Sequence, residues 1–109
     1  MPVIQILSRQ QMEKFRVWIT DGAIHLNEYE MALSDVEEVI AYKEDNFTID
    51  TIWVEVHKKE SKIYFSEDTP GFNEVMRDLI DAFSGSRADW RQEVLKEPFA
   101  ENRVTIWKK

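Results

Sequence analysis

The feature that most constrains the fold is a stripe of apolar residues between Thr69 and Gly85. Its members recur at i, i+3, i+4, i+7, i+8 and i+11, which is the spacing of one buried face of an α-helix. Thr69 is the expected N-cap, Pro70 the expected first helical residue and Gly85 the expected left-handed residue that ends the helix. One helix cannot bury this face alone, so a sheet must cover it. The stripe consists of Phe72, Val75, Met76, Leu79, Ile80 and Phe83.

Before this helix, apolar and polar residues alternate, as they do in half-buried strands. Asp21-Gly22 separates two such runs and predicts a type I′ hairpin turn, in which both central residues need positive φ. Residues 51–66 predict a second hairpin. Residues 28–44 are ambiguous. We prefer a third short strand, a turn and then a strand near Val39–Lys43, although a short helix capped by Ser34 fits the same region.

After the helix, residues 88–95 predict a second short helix, capped by Ser86 and closed before Pro98. Arg103–Trp107 predicts a final strand. Strands followed by helices and one last strand are typical of the α+β class. We therefore expect an antiparallel β-sheet of about six or seven strands that covers the amphipathic helix.

A chain of 109 residues is long enough for one core and too short for two, so residues 1–109 are expected to form a single domain. The order of elements over residues 14–84 resembles that of bacterial pleckstrin-homology-like or GRAM-like domains. That resemblance implies a strongly bent antiparallel β-sheet or half-barrel, closed by the amphipathic helix. Residues 85–109 then add the short helix and an extended tail, which is similar to that of small bacterial proteins of unknown function.

Phosphoinositide-binding members of the pleckstrin-homology class carry basic residues around the first hairpin. Here only Lys14 and Arg16 lie near that hairpin, which argues against binding of a lipid head group. The net charge of −7 also disfavours nucleic acid and anionic membranes, because both select clustered lysine and arginine.

The negative charge is concentrated in residues 28–50, where eight acidic residues are opposed by Lys43 alone. The simpler interpretation is a solvated edge that aids solubility. The functional interpretation is an acidic surface that binds a basic protein partner. The residues expected at its centre are Glu37, Glu38, Glu44 and Asp45.

Three aromatic residues fall opposite the apolar faces of their strands: Trp18, Trp53 and Tyr64. If the strands are adjacent and this face is open, the three form an exposed patch suited to anchoring a protein partner. We prefer the alternative, in which the second helix and the tail cover this face. The residues expected to cover it are Trp90, Phe99 and Trp107.

The sequence predicts no catalytic or metal-binding pattern. The chain has no cysteine, and His25 and His57 lack the spacing of a metal pair. Adjacent Glu37 and Glu38 would face opposite sides of a strand, so they do not form an acid–base pair. No metal, cofactor or catalytic residue is therefore expected. A histidine in a pocket beside a carboxylate would be the feature that favours an enzyme.

The sequence thus favours a small non-enzymatic module that binds another protein, of which immunity- or inhibitor-like proteins are one version. A lipid- or small-ligand-binding domain is the alternative, and it requires an internal apolar cavity or a basic rim. The chain has no apolar run near the ~20 residues of a membrane span and no signal-peptide pattern at its start. A cytoplasmic location is the default expectation, and self-association is left open.

Overall fold

The computed structural model describes residues 14–44, 51–96 and 102–109, which form seven strands, two α-helices and one 3-10 turn. No helix in these described ranges is long and apolar enough to cross a membrane. The strands are β1 Val17–Thr20, β2 Ala23–Leu26, β3 Tyr29–Ala32, β4 Glu38–Glu44, β5 Thr51–His57, β6 Lys62–Ser66 and β7 Val104–Lys108. The helices are α1 Phe72–Ala82 and α2 Trp90–Val94.

The strands form two antiparallel sheets, one of three strands in the order β1-β2-β3 and one of four in the order β6-β5-β4-β7. Neither sheet closes into a barrel. β7 comes from the end of the chain and pairs with β4, so the tail completes the larger sheet. The expected α+β class, strand number, main helix, short second helix and final strand are confirmed.

The first hairpin forms as the sequence indicates. Asp21 and Gly22 have φ angles of 53° and 74°, and Thr20 pairs with Ala23 across the turn. The ambiguous region also follows the preferred prediction. A 3-10 turn over Leu33–Asp35 leads into β4, and the alternative of a short helix capped by Ser34 does not form.

β5 is buried on both of its faces, since residues 51–56 are all buried. Phe65 pairs with the residue next to Trp53 in β5, so the side chains of Phe65 and Trp53 point to opposite faces. On the Phe65 face, aromatic rings connect the sheet to both helices: Phe65 to Phe72 at 5.9 Å and Phe72 to Trp90 at 6.3 Å between centroids. The prediction that the second helix covers the Trp53 face is therefore wrong.

The amphipathic helix forms, but with different ends from those predicted. Gly71, at φ 92°, is the N-cap. Thr69 is not the cap, and its Oγ1 instead accepts a hydrogen bond from the backbone N–H of Ser66 at 3.1 Å. The helix stops at Ala82, ahead of Gly85. Four stripe residues are fully buried, and the other two, Ile80 and Phe83, pack partly buried against the core.

α2 begins after Asp89 without a side-chain cap. Ser86 was predicted as the cap, but its Oγ instead donates to the carbonyl of Phe83 at 2.6 Å. Phe83 also stacks on Trp107 of β7, with ring centroids 4.2 Å apart. This stack ties the end of α1 to the tail. The predicted closure before Pro98 lies outside the described residues.

Candidate functional site

The three aromatics proposed as a patch do not form one. Trp53 and Tyr64 are only 1% and 2% exposed, and their rings meet edge-on at 6.3 Å. Trp18 is half-buried and lies in the other sheet. The preferred prediction that these aromatics are covered thus holds for Trp53 and Tyr64, but Trp107 does not cover them. Trp107 pairs with Val39 and stacks on the end of α1, on the opposite face.

Phe99, the remaining residue expected to cover the aromatic face, lies outside the described residues. Arg103 does reach that face from the tail. Its guanidinium carbon lies 5.2 Å from the centroid of the Tyr42 ring, and Tyr42 pairs with Trp53 across β4 and β5. Part of the cover is therefore a cation stacked on an aromatic ring.

A buried carboxylate, Glu55, organises the charges on this face. Its Oε1 accepts hydrogen bonds from Arg103 at 2.7 Å and from the ring of His57 at 2.8 Å, and Lys62 lies 3.6 Å from Oε2. Burial tends to raise the pKa of Glu55, but the His57 hydrogen bond and the charges of Arg103 and Lys62 outweigh it, so the pKa is lowered. Burial and the Glu55 charge together raise the pKa of Tyr64.

His57 and Glu55 are a histidine beside a carboxylate, the arrangement that would favour an enzyme. Neither residue lines either of the two cavities described below. The Glu55 carboxylate contacts Arg103, His57 and Lys62 and so forms the centre of an ion cluster. We therefore assign the Glu55 cluster to holding the tail against β5 and β6. In the described part of the chain, no group of three or more histidine and acidic side chains is placed to hold a metal ion.

The predicted acidic residues are spread out in space. Glu37 and Glu38 lie at the start of β4 and Glu44 at its end, roughly 20 Å away along the strand. Asp45 lies outside the described residues. Glu38 pairs with Lys108 of β7. Glu37 lines a shallow cavity of about 450 Å³ that is also lined by lysines, so charges of both signs are present here. The lysines of that cavity are Lys58, Lys59 and Lys109.

The best candidate for a binding site is a cleft between β1 and the N-terminal half of α1, with a volume of about 640 Å³. This volume is within the usual range for a binding cleft. We call it the β1–α1 cleft. Its strand wall is formed by Arg16, Val17, Trp18 and Ile19, and its helix wall by Pro70, Gly71, Glu74, Val75, Arg77 and Asp78.

One end of the β1–α1 cleft is closed by a direct backbone contact. The N–H of Val17 donates to the carbonyl of Pro70 at 3.0 Å, and the carbonyl of Val17 lies against Gly71. A residue with a side chain could not occupy position 71, because its Cβ would collide with that carbonyl. The start of β1 is therefore fixed to the start of α1.

Beyond this contact, none of the described strands pairs with the outer edge of β1. In an antiparallel pair, alternate residues bond to the neighbouring strand and the residues between them point their backbone groups away. The N–H of Asn27 donates to the carbonyl of Arg16 at 3.0 Å, which places Trp18 and Thr20 among the residues bonded to β2. The N–H and C=O of Ile19 therefore face away from β2, and no backbone partner for them exists within the described ranges.

Trp18 is held in a fixed orientation at this edge. Its ring stacks on that of His25 in β2, with centroids 4.9 Å apart and planes 7° from parallel. The guanidinium of Arg16 lies 5.8 Å from the Trp18 ring. Arg16 is exposed, as is Glu74 on the opposite wall. The cleft thus combines a preoriented indole with charges of both signs.

Comparison with family models, with curated proteins and with solved structures finds no match for this chain. The pleckstrin-homology-like resemblance therefore stays a prediction, and function must be inferred from the geometry. Sequence reasoning identified Trp18 but not the cleft that it lines. The available signal was Gly71 directly after Pro70, since a glycine at the start of a helix indicates either a positive φ or a close backbone approach.

Proposed function

We propose that the protein is a non-enzymatic module that binds a partner protein in the β1–α1 cleft. The observation that carries this proposal is Trp18, a half-buried indole held in place by His25 and adjacent to Arg16 at an open cleft. Tryptophan and arginine are the residues most enriched among those that dominate binding energy in protein interfaces. A side chain that is already oriented also loses little conformational entropy on binding.

In this proposal the acidic residues act at a distance. The net charge of −7 favours the approach of a basic partner, and charges outside the contact area mainly change the association rate. Glu37, Glu38, Glu44 and Asp45 would have this role, because the three that are described do not line the cleft. Blocking of a basic toxin or nuclease by an immunity- or inhibitor-like protein is the specific version. A cytoplasmic site of action and a pleckstrin-homology-like architecture remain part of the proposal.

Two observations favour a protein partner over a lipid or small apolar ligand. The Phe65 face of the larger sheet is filled by aromatic side chains from both helices, where an apolar ligand would otherwise be enclosed. Both cavities described above are lined by acidic and basic side chains in equal number. Neither has the predominantly basic rim that an anionic lipid head group requires.

The proposal is tested by selecting binders from a displayed library of random 12-residue peptides against the full chain. Dissociation constants of the recovered peptides are then measured by calorimetry for wild type, Trp18→Ala and Tyr29→Ala. Tyr29 is the matched control because it is an exposed aromatic, 48% accessible, that does not line the cleft. Thermal unfolding checks that each variant is folded.

We expect Trp18→Ala to weaken binding by about 30-fold, as truncation of a central anchor does, and Tyr29→Ala to change it by less than about twofold. Two results would contradict the proposal: recovery of no specific peptide, or recovery of peptides whose affinity does not depend on Trp18.

A further inference from the structure

We infer that the occupant of the β1–α1 cleft is an extended segment of the partner, which adds to β1 as a fourth strand of the smaller sheet. This inference rests on the proposed function, because it specifies how the same cleft is used. The occupant is a peptide in β conformation that carries an acidic and a basic side chain.

The backbone of Ile19 provides the first argument. Its N–H and C=O point away from β2 in the plane of the sheet, Ile19 lines the cleft, and no backbone bonding partner for these groups occurs in the described ranges. Exposed strand edges are templates for pairing with another chain. A helical segment would not satisfy Ile19, because its own backbone groups are bonded internally. An extended segment offers both a free N–H and a free C=O.

The contact at the closed end of the cleft sets where pairing begins. The N–H of Val17 is already bonded to Pro70, and the carbonyl of Val17 is covered by Gly71. Ile19 is therefore the residue of β1 that is left to form a pair of hydrogen bonds with the incoming strand. One such pair gives little affinity, so the side chains that line the cleft must supply the rest.

The charges on the two walls provide the second argument. Arg16 on the strand wall and Glu74 on the helix wall are exposed and form no ion pair within the described residues. Arg77 and Asp78, which also line the helix wall, are 3.9 Å apart and partly neutralise each other. An incoming segment is thus complementary when its acidic residue lies near Arg16 and its basic residue lies near Glu74.

The test uses a set of synthetic nine-residue peptides of alternating threonine and valine. Each peptide carries one glutamate and one lysine, and the set covers every pair of positions that these two residues can take. Binding to the full chain is measured by fluorescence anisotropy. The best peptide is then remade with single backbone N-methyl groups along its length. Because alternate residues of a strand point their N–H to opposite sides, N-methylation on the Ile19 side should weaken binding by about tenfold. N-methylation at the adjacent residue should change it by less than about twofold.

Charge reversal on the protein gives an independent readout. The double variant Arg16→Glu, Glu74→Lys should prefer peptides in which the order of glutamate and lysine is reversed. Asp81→Lys is the control, because Asp81 is exposed on α1 but does not line the cleft, and it should leave the preference unchanged.

Each negative result has a distinct meaning. Equal effects of all N-methyl groups, or no peptide with a Kd below about 1 mM, would overturn strand addition. Binding of the displayed 12-residue peptides that still depends on Trp18 would then leave the proposed function standing. A dimer of the free protein that Ile19→Pro dissociates would assign the edge to a second copy of the chain, and would also overturn the inference.

Discussion

The carbonyl oxygen of Val17 lies directly against the Cα of Gly71, so that a Cβ on residue 71 would fall well inside 3.0 Å of that oxygen. This contact joins the first described strand to the start of the main helix, although the two residues are 54 positions apart. It also forms the closed end of the β1–α1 cleft. The position of the cleft therefore depends on one residue that has no side chain.

Gly71→Ala should destabilise the protein strongly. The left-handed conformation alone costs an alanine roughly 1–3 kcal/mol, and the collision with Val17 adds to that cost. Gly85→Ala is the matched control, since Gly85 also has positive φ but has nothing within 4 Å of its missing Cβ. Urea denaturation should show a clearly larger loss of unfolding free energy for Gly71→Ala. Equal losses for the two variants would show that the close contact does not exist in solution.

The Glu55 cluster should make stability depend on pH in a defined direction. The pKa of Glu55 is below 4.5 in the folded protein, so the unfolded chain binds more protons in acid. The stability that this carboxylate contributes is present above about pH 4.5 and is lost as the pH falls through the folded-state pKa.

Replacement of this carboxylate tests the cluster. Glu55→Gln should lower the unfolding free energy at pH 7 by roughly 1–3 kcal/mol, because it replaces the carboxylate that accepts the charged hydrogen bond of Arg103 with a neutral amide. The difference from wild type should shrink as the pH is lowered below 4.5. Glu60→Gln, at an exposed turn, should show neither effect. If Glu55→Gln lowers the unfolding free energy by the same amount at pH 7 and at low pH, the ionised form of Glu55 is not what stabilises the protein.

The acidic residues should affect the rate at which the complex forms and not the rate at which it dissociates. For a basic peptide recovered from the display library, joint replacement of Glu37, Glu38, Glu44 and Asp45 by their amides should weaken binding and flatten its salt dependence. The change should appear in the association rate, whereas Trp18→Ala should increase the dissociation rate. Surface plasmon resonance at low and moderate salt separates the two. Unchanged affinity in the amide variant would eliminate the acidic surface as a binding determinant.

Local sequence signals predicted most of the elements. Asp21-Gly22 gave a two-residue turn with positive φ at both positions, and the stripe from Phe72 to Phe83 gave α1 with its buried face. These predictions succeed because turn chemistry and helical periodicity act over a few residues. The predicted start of the helix was wrong, since Gly71 and not Thr69 is the N-cap. The Thr69 hydroxyl accepts a local hydrogen bond from the N–H of Ser66, which the spacing of apolar residues does not reveal.

Exposure and the cleft could not be predicted in the same way. Alternation showed correctly that Trp53 lies opposite Val54, but not that β5 is buried on both faces. That burial depends on what packs against the second face, which strand periodicity does not encode. The cleft is formed by β1 and α1, which are distant in sequence, and Arg16 and Glu74 both line it because the contact of Val17 with Gly71 joins these two elements.

The most direct measurement of the central claim is amide hydrogen exchange at Ile19, followed by NMR in the free protein and in its complex with the best-binding peptide. In the free protein the Ile19 amide should exchange much faster than those of Trp18 and Thr20, which are bonded to β2. Saturation with peptide should slow exchange at Ile19 by about tenfold or more, because a partner carbonyl now accepts its hydrogen bond. An Ile19 amide that still exchanges freely in the saturated complex would contradict strand addition at β1.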